Sequence, residues 1–345
     1  MAIIDKPSDY FNTNLHTGTG SSQSITGVGF QPDMVWNKVR STSNNHIICD
    51  SVRGVTKLVY PDLGTAEQTE SNSITSFNSD GWTGGGSGNT NGSSQTFVSW
   101  NWKAGTSVSG NTTGSGTSKS YTGSVNTTAG FSIIRYTGNG TAGHTIPHHL
   151  GVQPRVVICK RLSQNGQWVF GSMALPNQFE QFLELDLTGG VQSSSLRWNN
   201  TDPSSSVFTV GSTLDTNAND INIIAYSFAQ KQGYSKFGSY TGNGNADGTF
   251  CYLGFKPAWV MTKRTDGTAG WHMQDNKRNG FNYQNYRLFA DNSDGSTNNS
   301  RMDLLSNGFK YRDGDGNSGT NFYMAFADNP FVTSTDNNSI PACAR

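Results

Sequence analysis

The chain has 345 residues and equal numbers of acidic and basic side chains, so its formal net charge is zero. This balance, without any long basic run, argues against a nucleic-acid partner, and no 18-residue apolar stretch predicts a membrane-spanning helix. Glycine is frequent at 41 residues, and only four of the 24 acidic residues are glutamate. Because Asp, Asn, Gly and Ser favour turns whereas Glu favours helices, this composition predicts many turns and few helices.

Three sequence motifs occur three times each, always in the same order along the chain. The first is a Thr-Gly-x-Gly turn at residues 17–20, 137–140 and 241–244. The second is an apolar run that leads from a proline to a lysine six positions later, at residues 32–38, 154–160 and 257–263. The third is a closing apolar segment at residues 97–102, 223–228 and 322–326. This order and near-constant spacing predict a triplicated fold.

The second and third motifs both predict β-strands. The proline-led runs are short, rich in β-branched and aromatic residues, and carry proline at the start, where its missing N–H costs least. The closing segments alternate, so that every second residue points to the same face. We expect Trp100, Tyr226 and Met324 to face the protein core, and Val35, Val157 and Val260 to occupy equivalent positions.

Many short strands in units of about a hundred residues predict an all-β fold of three tandem β-sandwich repeat domains, of jelly-roll or lectin-like type. Residues 177–185 are the one segment with a brief helical pattern, and the scattered cysteines are expected to be buried thiols. The predicted segments are repeat 1 with a short N-terminal arm (1–106), a Gly/Ser/Thr-rich linker or surface hairpin (107–129), repeat 2 (130–232), repeat 3 (233–334) and a C-terminal tail (335–345).

An Asp-x-x-Arg pair occurs in the first and third repeats, as Asp50 with Arg53 and as Asp275 with Arg278. Two interpretations are open. The pair forms a polar site that holds a ligand such as a glycan hydroxyl, or it forms an ion pair that pins a turn beside a strand. Trp82 and Trp271 lie next to loop-like segments, where an indole suits stacking on a sugar or packing against a partner subunit.

Two further acidic patterns are candidates for chemistry. Asp313, Asp315 and Asn317 alternate with glycines like the start of a calcium loop, because a hard cation prefers oxygen ligands; a turn that uses the same side chains is the alternative. Glu184 and Asp186 lie on one face of a predicted strand, the spacing that some retaining glycosidases use. A third acid of that pattern is absent, and the other repeats have no counterpart, so no catalytic residue is predicted.

Several segments together carry a family resemblance. They include Asp-Ser-Val-Arg-Gly (50–54) and Val-Ser-Trp-Asn-Trp-Lys-Ala-Gly (98–105) of the first repeat. In the third repeat they include Gly-Phe-Lys-Pro (254–257) and Leu-Ser-Asn-Gly-Phe-Lys (305–310). In these segments the chain resembles a repeat family of marine bacteriophages, especially cyanophages, whose members are usually labelled tail-fibre or structural proteins. The second repeat departs most from the pattern, because it lacks both Asp-x-x-Arg and Asn-Gly-Phe.

The resemblance implies a non-enzymatic virion protein, made in the host cytoplasm, that acts in assembly, in binding a host-surface glycan, or in both. A tail fibre or appendage is the first placement, and a capsid decoration or head-fibre protein is the alternative. A carbohydrate-active enzyme is the second alternative. Expected partners are other virion proteins and further copies of the chain, with a trimer as the first choice by family analogy. No cofactor is expected, apart from the Ca²⁺ hypothesis above.

Overall fold

The computed structural model describes residues 3–334, without the side chains of residues 299–301. Strands dominate, which confirms the all-β prediction, and the helical elements are single turns. These are two 3₁₀ turns at Pro7–Asp9 and Gln178–Glu180, α1 at Ser195–Trp198 and α2 at Leu214–Asn217. In the range 3–334, no helix is long and apolar enough to span a bilayer.

The strands fall into three units, numbered after the predicted repeats. Unit 1 contains nine strands in a four-stranded sheet, a three-stranded sheet and a two-stranded ribbon. The sheet orders are β1-β9-β3-β4, β2-β8-β7 and β5-β6. The strands are β1 Phe11–Thr17, β2 Gln23–Ile25, β3 Met34–Val39, β4 Ile47–Asp50, β5 Lys57–Leu58, β6 Gln68–Thr69, β7 Ile74–Asn78, β8 Gly81–Gly84 and β9 Thr96–Trp102.

Unit 2 contains eleven strands in an eight-stranded and a three-stranded sheet. The orders are β10-β12-β13-β20-β15-β16-β17-β18 and β11-β14-β19. The strands are β10 Thr106–Asn111, β11 Thr113–Gly114, β12 Ser120–Asn126, β13 Phe131–Thr137, β14 His144–Pro147, β15 Val156–Arg161, β16 Val169–Ser172, β17 Gln181–Glu184, β18 Gln192–Ser193, β19 Val207–Val210 and β20 Asn222–Phe228.

Unit 3 is one eight-stranded sheet that curls over, so that its sixth and seventh strands contact the face of its third strand. The order is β21-β28-β23-β24-β25-β26-β27-β22. The strands are β21 Ser235–Asn243, β22 Phe250–Tyr252, β23 Phe255–Arg264, β24 His272–Asp275, β25 Gln284–Phe289, β26 Thr297–Leu305, β27 Gly308–Tyr311 and β28 Ser318–Pro330.

One four-strand arrangement recurs in all three units. The order β1-β9-β3-β4 of unit 1 reappears as β13-β20-β15-β16 and as β21-β28-β23-β24. The proline-led strand always pairs with the closing strand, and nearly every residue of both strands is buried, as expected for strands in the middle of a sheet. Val35, Val157 and Val260 lie opposite Asn101, Ser227 and Ala325, each one position before the last aromatic residue of its closing motif. The predicted equivalence of these valines is confirmed.

Every closing strand is buried on both faces, and in units 2 and 3 the two faces lie in two different cores. In unit 2, Ile223 and Ala225 belong to a core formed within that unit, whereas Ile224, Tyr226 and Phe228 belong to a core shared by all three units. The shared core also receives Trp100 and Met324. The prediction that Trp100, Tyr226 and Met324 are buried is confirmed, and the core that they face lies between the units.

The last aromatic residues of the closing motifs form a triangle in the shared core. The ring centroids of Trp102 and Phe326 are 5.5 Å apart, those of Phe228 and Phe326 are 5.7 Å apart, and those of Trp102 and Phe228 are 6.4 Å apart. Trp259 packs edge-on against Trp102 at 5.9 Å. A small apolar cavity of about 20 Å³ remains beside these rings.

The Gly/Ser/Thr-rich segment after unit 1 is a hairpin that belongs to the sheet of unit 2. Strand β10 pairs with β12, and β12 pairs with β13, so the segment extends the eight-stranded sheet at its edge.

Residues 177–185, which were expected to be briefly helical, contain only the 3₁₀ turn, because Gln181–Glu184 is a strand. The N-terminal arm closes the chain on itself: Ile4 N donates to Gln232 O at 3.1 Å, and Asp5 accepts from Ser334 N at 2.7 Å.

Cysteines in the described residues are buried free thiols. Cys49, Cys159 and Cys251 each lie in the inner core of a different unit. Burial raises the pKa of each thiol to about 12, so all three stay protonated at neutral pH. Cys343 and the predicted tail of residues 335–345 lie outside the described residues.

A shared core predicts that the three units unfold together. Phe228→Ala removes one ring of the aromatic triangle and should cost about 3–5 kcal/mol, as for a buried phenylalanine. Denaturant unfolding should show one transition that shifts as a whole. Phe250→Ala, which removes a partly exposed ring of unit 3, should shift it by less than about 1 kcal/mol. Separate transitions, with only one moved by Phe228→Ala, would contradict the shared core.

Candidate functional site

The Asp50–Arg53 pair lies buried at the junction of units 1 and 2. Asp50 Oδ1 accepts the backbone N–H groups of Val52 and Arg53 at 3.1 and 2.9 Å, and Oδ2 accepts Arg53 Nε at 2.5 Å. Tyr226 of unit 2 donates its hydroxyl to the same Oδ2 at 2.7 Å. Both charged side chains are at most 1% exposed. The pair therefore pins its own turn and also binds the next unit, and it offers no group to a ligand in solvent.

Asp275 and Arg278 repeat this geometry at the junction of units 3 and 1. Asp275 Oδ1 accepts the N–H groups of Lys277 and Arg278 at 3.1 and 2.9 Å, and Oδ2 accepts Arg278 Nε at 2.6 Å. The group from the neighbouring unit is the indole of Trp100, whose Nε1 donates to Asp275 Oδ2 at 3.2 Å. Trp100 is the counterpart of Tyr226 on the closing strand, so both pairs reach the same position of the neighbouring unit.

Unit 2 has no Asp–Arg pair at its junction with unit 3. The residue of unit 3 that would face such a pair also has no hydrogen-bond donor. Ser172 and Leu175 occupy the places of the aspartate and the arginine, and Leu175 joins the shared core. The Ser172 hydroxyl still accepts the N–H of Ala174 at 3.1 Å, so the turn is kept. In unit 3 the position of Trp100 and Tyr226 is held by Met324, which has no hydrogen to donate to a carboxylate. The pair and its donor are thus present together or absent together.

Burial dominates the electrostatics of the Asp50 junction. Burial acts to lower the pKa of the Arg53 guanidinium, but the Asp50 carboxylate, together with smaller contributions from Tyr226, Cys49 and Glu67, holds that pKa above its usual value. Burial raises the pKa of the Tyr226 hydroxyl well above 10. The junction is therefore a fixed ion pair with a neutral donor at physiological pH, which suits a structural contact better than proton transfer.

The lysine that ends each proline-led run is buried at a junction between units. Lys38 Nζ donates to Asn44 O of its own hairpin at 2.7 Å and to Ser293 O of unit 3 at 3.0 Å. Lys263 Nζ donates to Ala269 O at 2.7 Å and to Thr188 O of unit 2 at 2.9 Å. Lys160 Nζ donates to Gly166 O, the corresponding carbonyl of unit 2. The recurring lysine thus binds carbonyl groups that would otherwise be buried without a donor.

Backbone hydrogen bonds of two kinds close the three units into a ring. The first kind joins an N–H of one hairpin to a loop carbonyl of the neighbouring unit: Asn44 to Ser293 at 2.8 Å, Gly166 to Gly64 at 2.7 Å and Ala269 to Thr188 at 3.0 Å. The second kind runs in the opposite direction between the same segments: Glu67 to Leu162 at 2.7 Å, Val191 to Thr265 at 2.8 Å and Ser296 to Arg40 at 2.8 Å. Unit 1 contacts unit 2, unit 2 contacts unit 3 and unit 3 contacts unit 1 through equivalent atoms.

Three aspartates support these junctions, and no motif in the sequence marks them as an equivalent set. Asp62, Asp186 and Asp291 accept the backbone N–H groups of His46, Trp168 and Trp271 at 3.1, 3.0 and 2.6 Å. Burial raises the pKa of Asp62 to about 7 and that of Asp186 to about 6, and it also raises the pKa of Asp291. The distance along the chain from the junction lysine to this aspartate differs in each unit, which hides the equivalence in the sequence.

Trp82 and Trp271 are fully buried, so neither indole is open to a sugar or to a partner subunit, contrary to the expectation from their place beside loop-like segments. Trp82 belongs to the inner core of unit 1, and Trp271 packs in the shared core. Trp271 Nε1 donates to Glu184 O of unit 2 at 3.0 Å, just as Trp168 Nε1 donates to Tyr60 O of unit 1 at 2.8 Å. Trp271 does pack against a neighbour, but that neighbour is another unit of the same chain.

The segment from Asp313 to Asn317 has structural contacts of its own. Asp315 forms an ion pair with Arg287. Asn317 is buried and donates through Nδ2 to Asn243 Oδ1 at 2.7 Å and to Asn245 O at 2.9 Å. Within the described range, no three His, Cys, Asp or Glu side chains come together as a metal site. Ca²⁺ binding here stays a prediction.

Asn317 belongs to a set of three equivalent asparagines that hold the Thr-Gly-x-Gly turns. The backbone carbonyls of Asn91, Asn217 and Asn317 accept the N–H of the last glycine of each turn at 2.8, 2.8 and 2.6 Å. A side chain on Gly138 or Gly242 would overlap the backbone beside this asparagine. The close approach explains why the first glycine of the motif recurs.

An open groove of about 700 Å³ lies on the surface of unit 3. The loop between Arg278 and β25 forms one wall and presents Phe281 at 74% exposure and Tyr283 at 42%. The sequence did not predict that these rings are exposed, because Phe and Tyr in a β-protein usually belong to the core. The signal that identifies them is their place in an Asn/Gly-rich loop rather than in an alternating strand.

Removing one residue of the Asp50 junction should lower the free energy of unfolding more than replacing all three of its residues together. Asp50→Ala leaves the Arg53 guanidinium buried without its partner and should cost about 3–5 kcal/mol. The triple variant Asp50→Ser/Arg53→Leu/Tyr226→Met installs the residues of the unit 2–unit 3 junction and should recover most of that loss. Denaturant unfolding of both variants measures the difference. A triple variant as unstable as Asp50→Ala would contradict the equivalence of the junctions.

The junction aspartates predict a fall in stability as the pH rises from about 4 to about 7. Their folded pKa values are raised, so the folded state holds protons that the unfolded state has released, and this stabilisation is lost as the pH passes the folded pKa values. Asp62→Asn/Asp186→Asn keeps the acceptor oxygens without the titration. The free energy of unfolding of this variant, relative to that of the unmodified protein, should rise between pH 5 and pH 7. A constant difference would contradict the prediction.

Comparison with curated proteins and with solved structures found no match. The model of a family described as a domain of unknown function, DUF7483, matches residues 6–330. This range begins at the N-terminal arm and ends at the last residue of β28, so it includes all three units and every junction between them. The chain therefore belongs to the DUF7483 family.

Proposed function

We propose that this protein is a non-enzymatic structural component of a bacteriophage virion that also binds a host surface. The proposal joins the sequence resemblance to marine phage structural proteins with one structural observation. That observation is the ring of equivalent hydrogen bonds through which each unit binds the next. A chain whose buried charged groups serve contacts between its own units is organised for rigidity.

The closed ring bears on where in the particle the protein acts. Tandem sandwiches joined end to end would form an elongated rod, as a fibre shaft requires. Here unit 3 returns to unit 1 through Ser293 and Arg40, and the N-terminal arm joins Ser334. A folded ring favours a compact tail appendage or a capsid decoration protein over a long fibre shaft.

The contacts of Glu184 and Asp186 favour the non-enzymatic proposal over a carbohydrate-active enzyme. Glu184 lies 3.5 Å from Arg197 in an ion pair, and its carbonyl accepts the Trp271 indole. Asp186 accepts the Trp168 N–H at the junction with unit 1. Both residues therefore contribute to contacts between units. In unit 1 the equivalent places are held by Tyr60 and Asp62, which are not a pair of carboxylates.

We further propose that the protein acts in several copies on the particle. Zero net charge leaves little self-repulsion between copies. The threefold arrangement that family analogy implies between chains has a counterpart inside the chain, where three units already form a closed ring. Native mass spectrometry of the purified protein, with its copy number on particles, tests this part. A strict monomer in both settings would contradict it.

The virion proposal predicts that the protein is present in purified particles of the phage that encodes it. Mass spectrometry of particles separated from lysate should detect the chain, and cryo-electron microscopy with an antibody-labelled copy should locate it on the tail or capsid. An otherwise normal particle preparation without the chain would contradict the proposal.

The non-enzymatic part has its own measurement. Purified protein incubated with a panel of oligosaccharides should release no shorter products. Hydrolysis that is abolished by Glu184→Gln would replace the proposal with the enzyme alternative.

A further inference from the structure

We infer that the groove on unit 3 is a saccharide-binding site, with Phe281 as its stacking surface. The groove is lined by both aromatic rings and amide side chains, notably Phe281, Tyr283, Asn276, Asn282 and Gln284. Saccharides present C–H faces that stack on aromatic rings and hydroxyls that pair with amides, so this combination suits them. The inference deepens the host-surface part of the proposed function and rests on it.

The loop that carries Phe281 is held in place by amide side chains. Asn282 bridges to β26 in both directions, since its Nδ2 donates to Leu304 O at 3.0 Å and its Oδ1 accepts Leu304 N at 2.9 Å. Asn279 Nδ2 donates to Phe281 O at 2.9 Å, and Gln284 Nε2 donates to the same carbonyl at 3.0 Å. The exposed ring is thus displayed on a fixed backbone, which lowers the entropy lost on binding a ligand.

Two acceptors at the groove lack hydrogen-bond partners. Asn276 Oδ1 and Gln284 Oε1 are both buried and unpaired, and Gln284 is only 3% exposed. An unpaired buried acceptor is unfavourable, because the group has lost water without gaining a donor. A ligand hydroxyl that reaches either oxygen would restore the missing hydrogen bond. An apolar partner surface would leave both oxygens unpaired, which is why the groove favours a hydroxyl-rich ligand over an apolar peptide.

The charges around the groove are largely paired. Lys256 Nζ lies 3.2 Å from Asp328, and Asp303 lies 2.5 Å from Arg312 Nε. The groove therefore presents no strong field of one sign, and recognition depends on stacking and hydrogen bonds.

The site belongs to unit 3 because the loop that forms it, between Arg278 and β25, has no counterpart in the other two units. In unit 1, the short segment after Arg53 leads directly to β5, and in unit 2 a proline follows Leu175. Neither segment carries an exposed aromatic residue in an amide-stapled loop. One chain therefore offers one such groove among its described residues, and repeated copies on a particle would supply multivalency.

Purified protein and a glycan array of two- to six-unit oligosaccharides, both neutral and uronate-containing, test the inference without any particle. Array hits are measured by isothermal titration calorimetry. We expect at least one saccharide to bind with a 1:1 ratio, and Phe281→Ala to weaken its binding by roughly tenfold. Phe250→Ala is the matched control, because it removes another exposed phenylalanine of unit 3 that does not line the groove, and it should leave the affinity unchanged.

Several results would overturn the inference. They are an array without hits, a hit whose affinity Phe281→Ala leaves unchanged, and a hit that Phe250→Ala weakens equally. Because Phe281 is exposed, its loss should leave the unfolding transition in place, so a binding defect is separable from misfolding. If the protein is found in virions but binds no saccharide, the virion proposal stands and the saccharide-site inference is wrong.

Discussion

The packing of Trp102, Phe228 and Phe326 against one another is the contact on which the arrangement of the three units depends. Each ring is the last aromatic residue of a closing motif, and the opposite face of each closing strand is buried within its own unit. Because a two-layer unit covers only one face of a strand, the apolar face that carries these rings needs a second apolar surface to cover it. The three units provide that surface for one another, and the shared core follows from this requirement.

Around that apolar centre, each of the three junctions must supply hydrogen-bond partners for buried backbone groups. Loops and hairpins that meet between units bring backbone groups out of water, and each such group needs a partner. The buried lysines, the aspartates that accept hairpin N–H groups, and the paired backbone hydrogen bonds supply those partners at equivalent places. Where unit 2 replaces the Asp–Arg pair with Ser172 and Leu175, Met324 replaces the donor, which is how a junction avoids an unpaired buried charge.

The division between a rigid interior and a varied surface frames the proposed function. The interior residues that recur in the sequence maintain the ring, and they are too buried to meet a ligand. The groove of unit 3 is formed by residues that do not recur, on a loop that one unit alone possesses. Binding surfaces commonly lie on such loops, because a scaffold holds them while their sequences remain free to differ.

The sequence by itself determined the all-β class, the threefold repetition, the equivalent strands and the burial of Trp100, Tyr226 and Met324, because strand periodicity and turn residues are local signals. It left two interpretations of Asp50 and Arg53 open, and it placed Trp82 and Trp271 beside loops. Only the tertiary structure decided these points, since burial at a junction depends on what the neighbouring unit presents. Asp62, Asp186 and Asp291 lie at different distances from their lysines along the chain, so their equivalence exists only in space. The ring and the groove of unit 3 likewise depend on contacts between residues that are distant in the sequence.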